Sequence, residues 1–91
     1  MAHHQNRALR RAIGTRLRDL RQEAGISSQE ALAYKAGVPR TYIGRPERGE
    51  SGVTVEALTA ILGALGVSLG EFFGAFTEVA KPSTPRRRRR Q

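Results

Sequence analysis

The sequence predicts an all-α protein: five short helices packed as one compact domain, followed by a basic tail that packs nothing. Three observations predict it. Apolar residues recur at steps of three and four from Leu9 to Phe76, the spacing that gathers them on one face of a helix. Glycines end these stripes at Gly25, Gly37, Gly49 and Gly66, where a residue tolerant of positive φ closes a helix. No segment alternates apolar and polar residues as a half-buried strand would.

The first helix is expected from about Asn6 to Ala24. Leu9, Ile13, Leu17, Leu20 and Ala24 form its apolar stripe, and arginines fill most of the remaining surface. Gly14 weakens it modestly by intrinsic propensity. The arginine-rich face would also suit a membrane-surface helix. The stripe lacks large aromatics, however, and four further helices need a packing partner, so core packing is the better reading. Ser28 is placed to cap a second helix through Ala36, with Leu32, Ala33 and Ala36 inward. Pro39 suits the start of a third, which carries Tyr42 and Ile43 and ends before Gly49. Thr54 caps a fourth, whose inward residues are Val55, Leu58, Ile61, Leu62 and Leu65. Ser68 with Glu71 three positions later is a capping-box signature for a fifth, containing Leu69, Phe72, Phe73 and Phe76.

Composition bounds the function. Ninety-one residues make one domain with one modest core. The domain is expected over residues 1–80, with residues 81–91 as a disordered, arginine-rich tail. Cysteine and tryptophan are absent, so neither a disulfide framework nor a thiolate metal site is available. The adjacent His3 and His4 are expected to be solvated, and no metal or other cofactor is expected. Met1 to Arg11 lacks the apolar core of a secretory signal, and no stretch is long enough to span a membrane, so a cytoplasmic protein is expected. The net charge is +8, but Lys81 and Arg86 to Arg90 supply six of sixteen basic residues. The other ten oppose all eight acidic residues, so the folded part is nearly neutral. Overall basicity alone is therefore weak evidence for an anionic partner. No histidine, cysteine or paired-carboxylate arrangement forms a catalytic site, and Ser27 and Ser28 lack a base partner; enzymatic activity is not expected.

The informative stretch is Gln29 to Arg48, QEALAYKAGVPRTYIGRPER. Two short helices crossing steeply through a tight turn need a small residue at their closest approach, which Ala33 supplies. They need a residue tolerant of positive φ in the turn, which Gly37 supplies. Leu32, Ala36, Val38 and Ile43 then face inward. This is a helix-turn-helix pattern over residues 29–48.

Around it the sequence resembles the Cro and lambda-repressor-like (XRE) helix-turn-helix family over about Ile13 to Phe73. The likeness rests on Ile-Gly-x-Arg-Leu-Arg-x-Leu-Arg (Ile13 to Arg21) and Ser-Gln-Glu-Ala-Leu-Ala (Ser28 to Ala33). It continues through Ala36-Gly37-Val38, Glu47-Arg48-Gly49 and Ala64-Leu65-Gly66-Val67-Ser68. Within the family, Arg40-Thr41-Tyr42-Ile43-Gly44 looks most like the controller proteins of restriction–modification systems, which are small homodimeric transcription regulators. The resemblance implies a helix of about residues 40–47 in the major groove of double-stranded DNA, with Arg40, Thr41 and Arg45 at base edges. The chemistry agrees, because an arginine fork matches the two acceptors of guanine and a threonine can bond a base or touch a thymine methyl. Tyr42 matches a position against the DNA backbone or the partner subunit. Ser28, Gln29 and Thr54, at helix starts, match phosphate contacts. Arg21 and Glu47 match a structural ion pair between the first and third helices.

The chain departs from this pattern at three places. Ser51-Gly52 stands where controller proteins commonly have Arg-Asn. The turn from Gly25 to Gln29 is one residue longer. Pro46 fills a slot normally taken by a branched apolar residue, and its missing N–H denies the Tyr42 carbonyl a helical donor. That gives either a shortened helix that still docks or a weaker binder. Phe72, Phe73 and Phe76 close the core, form a dimer interface, or divide the two roles. The arginine run is expected to add salt-sensitive affinity without specificity. The alternative to a sequence-specific regulator is an antitoxin or adaptor whose helix-turn-helix scaffold mainly binds another protein, such as a toxin or a polymerase.

Overall fold

The computed structural model describes residues 6–76. Over them the chain forms α1 (Arg7–Glu23), α2 (Gln29–Ala36), α3 (Thr41–Glu47), α4 (Val55–Leu65) and α5 (Leu69–Gly74), with no strand among the described residues. The fold is all-α with five helices, as the periodicity predicts. The basic tail of residues 81–91 and the His3–His4 pair lie outside the described residues.

Short polar side chains start four of the helices. Asn6 Oδ1 accepts the Leu9 amide at 2.8 Å, Ser28 Oγ that of Ala31 at 3.0 Å, and Thr54 Oγ1 that of Ala57 at 3.1 Å. At α5 the box is reciprocal, Ser68 Oγ accepting from Glu71 N while Glu71 Oε1 accepts from Ser68 N, both at 3.0 Å. The third helix has no side-chain cap. It begins at Thr41 rather than at Pro39, whose carbonyl accepts the Tyr42 amide in the preceding turn. Between α2 and α3, Gly37 adopts φ +74°, and Val38 N donates back to the Ala33 carbonyl at 3.0 Å. A side chain at that glycine would strain the turn that sets the crossing of the two motif helices.

The core takes Leu17 and Leu20 from α1, Leu32 and Ala33 from α2 and Ile43 from α3. Leu58, Ile61 and Leu62 of α4 complete it with Phe72 and Phe76. A fully buried side chain of this size contributes roughly 1.5–3 kcal/mol. Two expected core positions differ. Val55, the first residue of α4, is 69% exposed, and Ala57 takes the buried place in that turn. Ala24 lies beyond the last turn of α1 as its C-cap and is exposed.

Gly14 has a different meaning from the one propensity assigns. A Cβ built there would overlap the carbonyl oxygen of Pro46. The missing side chain lets α1 lie directly against the end of α3, a contact that fixes how α3 is presented. Pro46 itself is buried inside α3, which continues to Glu47. The helix is thus not cut short at the proline. With only one further helical residue beyond it, the ring disturbs the final turn alone.

Candidate nucleic-acid interface

Seven residues of helix divide into two faces. Ile43, Gly44, Pro46 and Glu47 are buried, while Thr41, Tyr42 and Arg45 are exposed. Arg48, the C-cap, is exposed as well. Steps of four and three from Thr41 to Arg45 to Arg48 put these side chains on one stripe of the surface.

Beneath that stripe lies a charged anchor. The Glu47 carboxylate, fully buried, accepts from Arg21 Nε at 2.8 Å and Arg21 Nη2 at 3.0 Å, a bidentate pair. Gln29 Nε2 donates to the same carboxylate at 3.0 Å. Arg21 Nη1 also reaches the Ile26 carbonyl, and Arg18 Nη2 the backbone carbonyl of Glu47, each at 3.0 Å. The hydrogen bond to Glu47 raises the Arg21 pKa further above its ordinary value, against the opposing pull of burial. Residues from α1 and α2 therefore converge on one carboxylate at the end of α3. Their geometry fixes its rotation as well as its position.

The sequence-predicted contact residues fall into two groups on this surface. Thr41, Tyr42 and Arg45 line a shallow cavity of about 180 Å³, with Pro46 as its floor and Ser51, Gly52, Val53, Thr54 and Ala57 opposite. Thr54 is thereby brought beside the α3 side chains, although its hydroxyl already accepts the Ala57 amide. At the other end of α3, Arg40 meets the start of α2. Its Nη1 donates to Gln29 Oε1 at 3.3 Å, and its Nε lies 3.9 Å from the Glu30 carboxylate.

The Gln29 side chain is engaged within the protein. Sequence reasoning aims its amide at a phosphate. In the structure both ends are engaged inside the protein, the nitrogen with Glu47 and the oxygen with Arg40. The side chain ties α2 to α3. Ser28 likewise gives its hydroxyl to capping.

The phenylalanines divide. Phe72 and Phe76 are 0% and 4% exposed, with ring centroids 5.2 Å apart, so they close the core of the domain and have no surface to offer a partner. Phe73, edge-on to Phe72 at 5.1 Å, stays 43% exposed beside Leu69 at 38%. The exposed apolar surface of α5 is this outer pair.

Arg48 is the surface residue that sequence reasoning passed over. Its Nη1 lies 3.1 Å from the point where a Gly44 side chain would begin, and Arg40 Nη1 lies 3.5 Å from the same point. The signal was present in the spacing Arg40-Gly44-Arg48, two arginines one turn on either side of a bare position.

Among the described residues no group of three His, Cys, Asp or Glu side chains is placed to hold a metal ion. Nor is any helix among them long and apolar enough to cross a membrane.

Comparison with known proteins matches residues 12–72 to a helix-turn-helix domain family. The chain is similar to the control protein C.MunI of Mycoplasma sp., 37% identical over 61 residues, covering 67% of this chain and 82% of that protein. It is also similar to the control protein C.BamHI of Bacillus amyloliquefaciens, 37% identical over 59 residues, 65% of this chain and 73% of the relative. The chain belongs to the helix-turn-helix domain family, among proteins that resemble the restriction–modification controller proteins.

Proposed function

We propose that this protein is a non-enzymatic, cytoplasmic transcription regulator that binds double-stranded DNA as a homodimer and reads its sequence with α3 in the major groove. The observation that carries the reading is the division of α3 into an anchored inner face and an exposed outer stripe. A groove-reading helix needs a fixed rotation, because a bidentate contact to guanine tolerates little angular error. The buried Arg21–Glu47 pair and the Gly14–Pro46 contact supply that fixity. Arg40 and Arg45 offer forks to guanine, and Thr41 offers a hydroxyl and a methyl. Tyr42 and Thr54 lie at the margin, where the DNA backbone would pass. The two relatives are both control proteins, which supports regulation rather than mere DNA packaging. For the dimer, Phe73 and Leu69 supply the apolar contact, since an exposed aromatic on a terminal helix suits a two-fold interface.

Selection from random duplexes, using the purified full chain and a chain lacking residues 81–91, tests this reading. The expected outcome is one enriched sequence with two half-sites about 34 Å apart, unchanged by the deletion, which lowers affinity for all sequences alike. Binding that enriches nothing and vanishes with the tail would overturn the proposal in favour of a protein-binding adaptor.

A further inference from the structure

We propose that Arg48 is a further DNA-contacting residue, and that Glu50 is a positioning residue that holds it and makes the arginine stripe discriminate between target and bulk DNA. The inference rests on the DNA-binding reading and deepens it. The Glu50 carboxylate accepts from Arg48 Nε at 2.9 Å and from Arg48 Nη2 at 3.2 Å, and lies 4.0 Å from Arg45 Nε. Both members of the Arg48–Glu50 pair are about half exposed. Such a pair adds little to stability. Its geometry nevertheless orders a long side chain that would otherwise sweep through solvent.

The way the fork is used decides what the ordering achieves. Glu50 occupies Nε and one edge of Nη2, which leaves the Nη1 hydrogens and the outer Nη2 hydrogen free to donate. That free end lies over Gly44, whose missing side chain leaves room for it beside the Gln29 amide oxygen and the Arg40 guanidinium. A guanidinium already oriented loses less freedom on bonding a base or a phosphate in register. The carboxylate meanwhile cancels much of the local positive charge, of Arg48 first and of Arg45 second. The hydrogen bond from Arg48 holds the Glu50 carboxyl below its usual range, so it is ionised wherever the protein works. Phosphates passing in arbitrary registers meet a stripe of reduced positive charge. A cognate site meets aligned donors.

Full-length wild type, Glu50→Gln and Arg48→Gln are compared on two duplexes of equal length: the one that wild type selects, and a mixed sequence without a match. Thermal melting controls for folding. Glu50→Gln is expected to tighten binding to the mixed duplex about threefold, the Coulomb effect of removing one charge about 7 Å from a phosphate in water. Affinity for the selected duplex stays level or falls, so the specificity ratio drops at least threefold. Arg48→Gln is expected to lower the slope of log affinity against log salt by roughly 0.9. An unchanged ratio in Glu50→Gln, or an unchanged slope in Arg48→Gln, overturns the inference while leaving the DNA-reading proposal standing. So does reselection with Glu50→Gln that enriches a different base, which would make Glu50 a base reader. A wild type that selects no sequence at all overturns the DNA-reading proposal, and this inference with it.

Discussion

On its inner side α3 carries Ile43, Pro46 and Glu47, buried against α1 and α2, whereas on its outer side Thr41, Arg45 and Arg48 stand in solvent. Each side meets a glycine. Facing the inner side, Gly14 of α1 lies against backbone, the Pro46 carbonyl. Towards the outer side, Gly44, itself buried, has the far ends of Gln29, Arg48 and Arg40 as its nearest neighbours. Backbone cannot yield to an added atom, while a long side chain can swing away. The inner face therefore fixes the fold, and the outer face can be rewritten without unfolding it.

Breaking the inner face should cost most. Glu47→Ala leaves Arg21 buried with no counter-charge, and loss of one partner of a buried pair costs about 3–5 kcal/mol. Denaturant unfolding is expected to show a domain folded marginally or not at all. A loss below about 1 kcal/mol would mean that the pair is dispensable. Gly14→Ala comes next. The alanine must push α1 off the end of α3, and overpacking of this kind costs roughly 1–3 kcal/mol, against the slight gain in helix propensity the same change would bring on an exposed surface. A rise in melting temperature would refute the close approach.

Pro46→Ile tests the boundary between the faces. Isoleucine restores an N–H for the Tyr42 carbonyl, and the cavity beside residue 46 has room for a larger side chain. An interior proline costs on the order of 3 kcal/mol and less near a helix end, so the expected gain is about 1–2 kcal/mol. Lower stability would show that the ring's fit in this cavity outweighs the missing bond. Gly44→Ala should matter least for the fold, within about 1 kcal/mol in either direction. It displaces the ends of Gln29 and Arg48, so it loosens the Gln29 link between α2 and α3 slightly and its larger effect is expected in DNA affinity.

What could be seen in the sequence follows the range of each interaction. The caps at Ser28, Thr54 and Ser68 and the stop at Gly37 are set by residues three to five positions apart, and all were legible. The positions of Thr41, Arg45 and Tyr42 on the exposed side of α3 follow from helical spacing. The role of Gly14 was hidden, because only the assembled fold brings Pro46 to it. The side-chain partners of Gln29 were hidden for a related reason: only the assembled fold brings Glu47 and Arg40, at the two ends of α3, to the start of α2. Among the phenylalanines, the spacing of 72 and 76 marks a shared face. Which face turns inward depends on how α5 docks, and sequence periodicity does not contain that.

On the proposed reading, base recognition belongs to Arg40 and the outer stripe of α3 and is separable from the anchored face. It is tested most directly by measuring Arg40→Ala and Arg45→Ala against the selected duplex and a scrambled one, alongside their denaturant midpoints. Each variant is expected to keep the wild-type midpoint, lose about 1–3 kcal/mol on the selected duplex and relax preference at one base position. Equal losses on selected and scrambled DNA, or a fall in stability that accounts for the lost binding, would contradict the account.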